Sequence, residues 1–197
     1  MNMTPAFWIV LAGILAVSLI VGAVLISSRK KKQSLRLQQR FGPEYGRAID
    51  ELGSRAKAES ELKAREERVE HLNIVALAPS EAARFSQAWS ALQGRFIDNP
   101  KGVVVQADQL IRELMIKRGY PMGDFERRAA DISVDHPVMV DNYRAAQAIA
   151  VRDQSGQANT EELRKAVVHY RALFDELLGT REVKQEVLAA EPLPVHS

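Results

Sequence analysis

Apolar residues along this chain follow three different rhythms. From Ala6 to Ile26 they run without one charged side chain and end against Arg29-Lys30-Lys31-Lys32. About 20 apolar residues at ~1.5 Å each match the hydrocarbon thickness of a bilayer, so this run predicts one membrane-crossing helix. Lys and Arg beside a span are retained on the cytoplasmic side, and no Lys or Arg precedes the span to compete. The predicted topology is therefore N-terminus outside, with the rest of the chain in the cytoplasm below the cell membrane. A cleaved signal peptide is the rival. Its usual form has a positive start and an apolar core of about 7–15 residues, and neither is seen here.

The second rhythm is sparse. From Glu44 to about Leu72 the pattern predicts one highly charged helix, with acid before base four residues on at Glu59 and Lys63 and at Glu61 and Arg65. Its apolar side is thin: Tyr45, Ala48, Ile49, Leu52, Ala56, Leu62, Val69. A heptad with Leu62 and Val69 at d puts Glu59 and Glu66 at a, which argues against a continuous coiled coil. A solvated stalk of roughly 40 Å follows from a rise of about 1.5 Å per residue, with a paired stalk as the alternative. Phe41-Gly42-Pro43 separates this helix from the span.

The third rhythm is regularly helical. Phe85, Ala88, Trp89, Leu92 and Phe96 recur on one face after Pro79-Ser80, where Ser80 is the expected cap. Asn99-Pro100 then opens a helix lined by Ala107, Leu110, Ile111, Leu114 and Met115, which Gly119 and Pro121 close. Asp124 opens a short helix carrying Phe125, Ala129 and Ile132. Asp135 is the expected cap of the next, with Val138, Tyr143, Ala146, Ile149 and Ala150 inward. Asn159 and Glu162 form a capping-box pattern before Leu163, Val167, Tyr170, Phe174 and Leu177. The one β-like run, Val103-Val104-Val105, sits inside a helical pattern.

The predicted fold is all-α: a transmembrane anchor over 1–28, a basic juxtamembrane segment over 29–43, a charged helical stalk over 44–78, an antiparallel bundle of four to five helices over 79–180, and a flexible tail over 181–197.

Charge sharpens this division. The chain carries +2 overall, but Arg29, Lys30, Lys31, Lys32, Arg36 and Arg40 precede the first acid, Glu44. Without those six, 21 basic residues face 25 acidic ones, and the remainder is net −4. The cations are thus assigned to anionic lipid headgroups, at about 1 kcal/mol each. No basic face for nucleic acid is evident. The chain has no cysteine, which removes disulfides, thiolate metal sites and thiol catalysis.

Candidates for chemistry are few. Asp135-His136, in the polar stretch from Asp131 to Pro137, offers a carboxylate and an imidazole for acid–base work. The plainer expectation is that Asp135 and Pro137 start a helix with His136 between them. His169 reads as a boundary histidine, with the possibility that it faces His136. His71 and His196 belong to no constellation. Tyr143-Arg144-Ala145 and Tyr170-Arg171-Ala172 echo each other 27 residues apart. Arg144 and Arg171, joined by Arg127 and Arg128, are candidates for an anion pocket, against a packing role with Tyr inward and Arg at the rim. No metal-ligand pattern, cofactor loop or serine-nucleophile motif is found, so no metal or cofactor is expected.

Several stretches taken in order carry a resemblance. They are Arg40-Phe41-Gly42-Pro43-Glu44-Tyr45 after a span, the charged helix from Ala58 to Arg68, Trp89 with Phe96-Ile97-Asp98-Asn99-Pro100, and Gly119-Tyr120-Pro121. With them come Ser133-Val134-Asp135-His136-Pro137, Asn142-Tyr143-Arg144-Ala145-Ala146, and Thr160-Glu161-Glu162-Leu163-Arg164 through Phe174. Together they resemble an uncharacterised family of bacterial single-span membrane proteins, found among actinobacteria and some other soil bacteria. The resemblance covers most of residues 1–178. It implies class and topology, and it brings no catalytic residues. The function expected is non-enzymatic: a membrane-tethered module that binds a protein partner or itself. The alternative is a small-ligand, anion-binding or hydrolytic domain using Asp135, His136, Arg144 and Arg171.

Overall fold

The computed structural model describes residues 5–179, with side chains from residue 21 onward except positions 23 and 26. Among the described residues there are eight helices and no strand, so the chain is all-α as its periodicity predicts. No helix among them is long and apolar enough to cross a membrane. The stretch Ala6–Ile26, on which the predicted span rests, lies largely outside the described side chains. The tail predicted over 181–197 lies outside the described residues altogether. The chain divides into two compact units, residues 1–60 and 61–197.

The first unit holds α1 (Pro5–Phe41), α2 (Pro43–Leu52) and the beginning of α3 (Arg55–Glu70). α1 is one helix of 37 residues, so the apolar run and the basic cluster share a single rod. It stops where expected. Gly42 takes φ +48°, a region costly for any residue with a Cβ, and Pro43 starts α2. α2 packs on α1, and Leu37, Phe41, Tyr45 and Ala48 are buried. The Tyr45 hydroxyl donates to Glu59 Oε1 at 2.7 Å.

Here the predicted single helix over 44–72 is corrected. Gly53, at φ +67°, ends α2 with its N–H on the Ile49 carbonyl, and α3 begins anew at Arg55. Nor is the segment solvated throughout. Glu44, Ala58, Leu62, Arg65, Glu66 and Val69 are all buried. Sparse apolar spacing underestimates burial when charged residues find partners of opposite sign.

The second unit holds the rest of α3, a turn at 71–72 leading into an extended segment over 73–78, and five helices: α4 (Pro79–Gly94), α5 (Pro100–Arg118), α6 (Phe125–Asp135), α7 (Val140–Gln154) and α8 (Thr160–Leu177). This helical bundle centres on α8, which packs on α7 and α5, with α4 on α5 and α6 on α7. The expected stripe of α8, Leu163, Val167, Tyr170, Phe174 and Leu177, is buried throughout. Each such side chain contributes about 1.5–3 kcal/mol by leaving water. Trp89 stacks on Phe174 with centroids 4.6 Å apart. Val103 and Val104 enter the core while Val105 is exposed, as a helix requires.

Helix ends follow their local chemistry in most places. Asn99 accepts from the Gly102 N–H at 2.9 Å, Asp124 from the Arg127 N–H at 2.8 Å, and Asn159 and Glu162 form both bonds of the capping box. Two expected caps are displaced. Ala78 rather than Ser80 precedes α4, because Pro79 already takes the first helical position. Asp135 does not cap α7 but is the last residue of α6. A turn from His136 to Met139 intervenes, which leaves Val138 exposed and gives its core place to Val140.

The segment between α3 and α4 is fixed by backbone contacts. The Val75 N–H donates to the Arg118 carbonyl at 2.9 Å. Arg118 returns donors to the carbonyls of Val75 at 3.3 Å and Leu177 at 3.0 Å. Gly119, at φ +93°, lies so close to the Asn73 carbonyl that a Cβ there would collide with it. Ile74 and Leu77 then reach the bundle core.

Candidate functional site

A concave polar region lies between α3 and α6 within the second unit. Helical spacing sets Ala64, Glu67 and Arg68 along one side of α3, with His71 in the turn just past its end, and Arg127 and Asp131 one turn apart on α6. With Leu72 and Pro121 they line an open cleft of about 610 Å³. α6 is short and almost wholly buried from Ala129 to Val134, so Asp131 enters apolar surroundings and is only 2% exposed.

A lone carboxylate there is costly, and two guanidinium groups offset it. Arg68 Nε lies 3.7 Å from Asp131 Oδ1, and Arg127 Nε 3.9 Å from Oδ2. Both distances exceed hydrogen-bond range. Asp131 Oδ1 and Arg68 Nε are correspondingly buried without a hydrogen bond. Burial pushes the Asp131 carboxyl above the usual carboxylate range, against the opposing pull of Arg68, Arg127 and Arg65. Around this floor, Arg68 also approaches Glu61 at 3.8 Å, Glu67 pairs with Lys63 at 3.4 Å, and His71 Nδ1 lies 2.6 Å from the Glu67 carbonyl. Since a carbonyl only accepts, that ring nitrogen carries the proton.

The residues singled out from the sequence are placed elsewhere and engaged separately. His136 Nδ1 meets Glu176 Oε1 of α8 at 3.2 Å, and Asp135 accepts from the Tyr120 hydroxyl at 3.2 Å. Burial and the neighbouring Asp135 carboxylate hold that phenol strongly protonated. His169 does not face His136. Its Nδ1 lies 2.8 Å from Asn142 Oδ1 on α7. Arg144 pairs with Glu126 at 2.7 Å. Arg171 pairs with Asp175 at 2.8 Å and lies over the rings of Trp89 and Phe174. Arg128 donates to the Tyr143 hydroxyl and the Gly123 carbonyl. The two echoing tyrosines are both buried, with rings 6.4 Å apart, which is the packing role expected of the repeat.

Among the described residues no group of three or more acids and histidines stands where a metal ion is held. Arg29, Lys30, Lys31, Lys32 and Arg36 are exposed along α1. Comparisons with protein-family models, with curated proteins and with solved structures find no match to this chain.

The cleft was only half legible in the sequence. Arg127 was a candidate anion ligand, and Asp131 belonged to the polar stretch ending at Pro137. Glu67, Arg68 and His71 lay in a segment read as solvated. The available signal was the alignment of Ala64, Arg68 and His71 at helical spacing, but nothing in that spacing reveals a buried acid on α6.

Proposed function

We propose that this protein is a single-pass, membrane-tethered helical module that binds a protein partner, or a second copy of itself, at the inner face of the cell membrane. One observation carries the tether. The uncharged run Ala6–Ile26 belongs to a single helix that continues into a row of exposed cations, and the apolar Val21, Val24 and Leu25 beyond its middle are each half-exposed or more. Apolar side chains left uncovered on a helix are covered at low cost by lipid. The cations Arg29 to Lys32 and Arg36 would then lie among anionic headgroups and fix the second unit on their own side.

A binding rather than catalytic role is supported by what the conspicuous polar residues do. His136 with Glu176 joins the end of α6 to α8, and Arg144 with Glu126 joins α7 to α6. Arg171 lies over Trp89 and so couples α8 to α4. These are bonds between elements of a bundle. Confinement at a membrane raises the effective concentration of such a bundle toward other membrane components.

Alkaline carbonate extraction of membranes from cells making the full chain tests the tether: the protein is expected in the pellet, and its release into the supernatant overturns it. A reporter fused after Ser197 is expected to be active only on the cytoplasmic side, and activity only outside overturns the orientation. Crosslinking in intact cells is expected to trap a discrete partner or a dimer. Recovery of the uncrosslinked monomer alone overturns the interaction role.

A further inference from the structure

The α3–α6 cleft is not used by the tether, and neither guanidinium group lining it has a carboxylate within hydrogen-bond distance. Asp131 supplies one buried negative charge to two guanidinium groups, and Glu61 approaches only one of them, Arg68, at 3.8 Å. Of these, Arg127 is half-exposed, with Asp131 beyond hydrogen-bond distance at 3.9 Å. The carboxylate sits on the buried stretch Ala129–Val134 of α6. Asp131 thus keeps both arginines at the cleft without accepting a hydrogen bond from either. Lys63 pairs with the remaining acid of the lining, Glu67. A cation entering here meets two guanidinium groups, and a purely apolar ligand strips water from them without return. An anion gives these donors acceptors at bonding distance, and the planar guanidinium suits the paired oxygens of phosphate or carboxylate.

We propose that the cleft lined by Arg68, Arg127 and Asp131 binds a small organic anion, its phosphate or carboxylate end on the two arginines and its apolar part along Ala64, Leu72 and Pro121. The site differs from one built on Arg144 and Arg171, since each of those has a carboxylate at 2.7–2.8 Å. Asp131 positions the arginines and does not touch the ligand. The inference stands independently of the membrane tether, because every residue it uses belongs to the second unit.

The test is a titration of the full chain, isotopically labelled in uncharged detergent micelles, with phenyl phosphate. Saturable amide shifts are expected in residues 64–72 and 121–131. Arg127→Gln, at an exposed position, is expected to weaken binding about tenfold, the loss of about 1.4 kcal/mol. Arg164→Gln, which removes an equally exposed cation paired with Glu161 on α8, is expected to leave it unchanged. Shifts with phenyl phosphate assign the site to a soluble anion. Shifts seen only when phosphatidic acid is added to the micelles, and removed by Arg127→Gln, assign it to a lipid headgroup of the same chemistry. No shift in these residues with either probe, or equal weakening by the two substitutions, overturns the proposal.

Discussion

α8 and the last turns of α3 are both helices dense in charge, yet they are held by different physics. α8 carries its charges outside a continuous apolar stripe, and that stripe sits at the centre of the bundle core. In α3, ten of the 16 residues are charged. Its buried positions include Arg65 and Glu66 beside Leu62 and Val69, and the ion pair of Arg68 with Asp131 links it to α6. Burial of a leucine is favourable wherever it goes. Burial of a glutamate or arginine is favourable only beside the right neighbour. The first helix is thus specified locally, and the second only by residues remote in sequence.

The comparison breaks most readily at α8. Phe174→Ala removes a fully buried ring stacked on Trp89 and leaves a cavity under Arg171. It is expected to cost about 3–5 kcal/mol, measured as loss of stability to denaturant of the full chain in micelles. If the cost stays below about 1 kcal/mol, the centre of the bundle is not at α8.

Next in size is Gly119→Ala, which acts on the segment leaving α3. It forces a Cβ into a left-handed backbone position and against the Asn73 carbonyl. A cost of about 1–3 kcal/mol is expected, with loss of amide protection at Val75, whose N–H bonds the Arg118 carbonyl. An unchanged stability would mean that the extended segment is not docked on the end of α5. Asn159→Ala is milder, because it removes one cap bond, to the Glu162 N–H at 2.9 Å, and frees the reciprocal glutamate. About 1 kcal/mol is expected, measured the same way.

These cases show why the sequence was legible in some places and not in others. The stripe of α8, the caps at Asn99, Asp124 and Asn159, and the stops at Gly42 and Gly119 are local statements. Each needs only residues within a turn or two, so periodicity and cap chemistry suffice. The shift of α7 from Asp135 to Val140 was missed because Asp135 serves Tyr120, which lies before α6. His136 and His169 were legible as polar residues near helix ends, but their partners, Glu176 and Asn142, come from other helices. The cleft combines both difficulties. Its arginines look like solvated charges, and its acid is buried by the packing of α6.

The smallest effect is also the most discriminating for α3. Desolvation raises the Asp131 carboxyl above its ordinary value despite its arginine neighbours, so the ionised form is better solvated in the unfolded chain. The sign follows by linkage. A folded-state value above the unfolded one means that folding takes up protons, and this residue's contribution grows less favourable as pH rises through that window. Asp131→Asn keeps the shape and removes the charge. At neutral pH it is expected to change stability by less than about 1 kcal/mol, with the variant the more stable. That advantage should shrink as pH falls toward the ordinary carboxylate range, where the native acid is itself neutral. Denaturant midpoints for both proteins, compared at neutral and mildly acidic pH, read the difference directly. A clear destabilisation at neutral pH, fading in acid, would show instead that Arg68 and Arg127 more than offset the burial. α3 would then be held by a favourable ion pair, where a raised Asp131 implies a tolerated one.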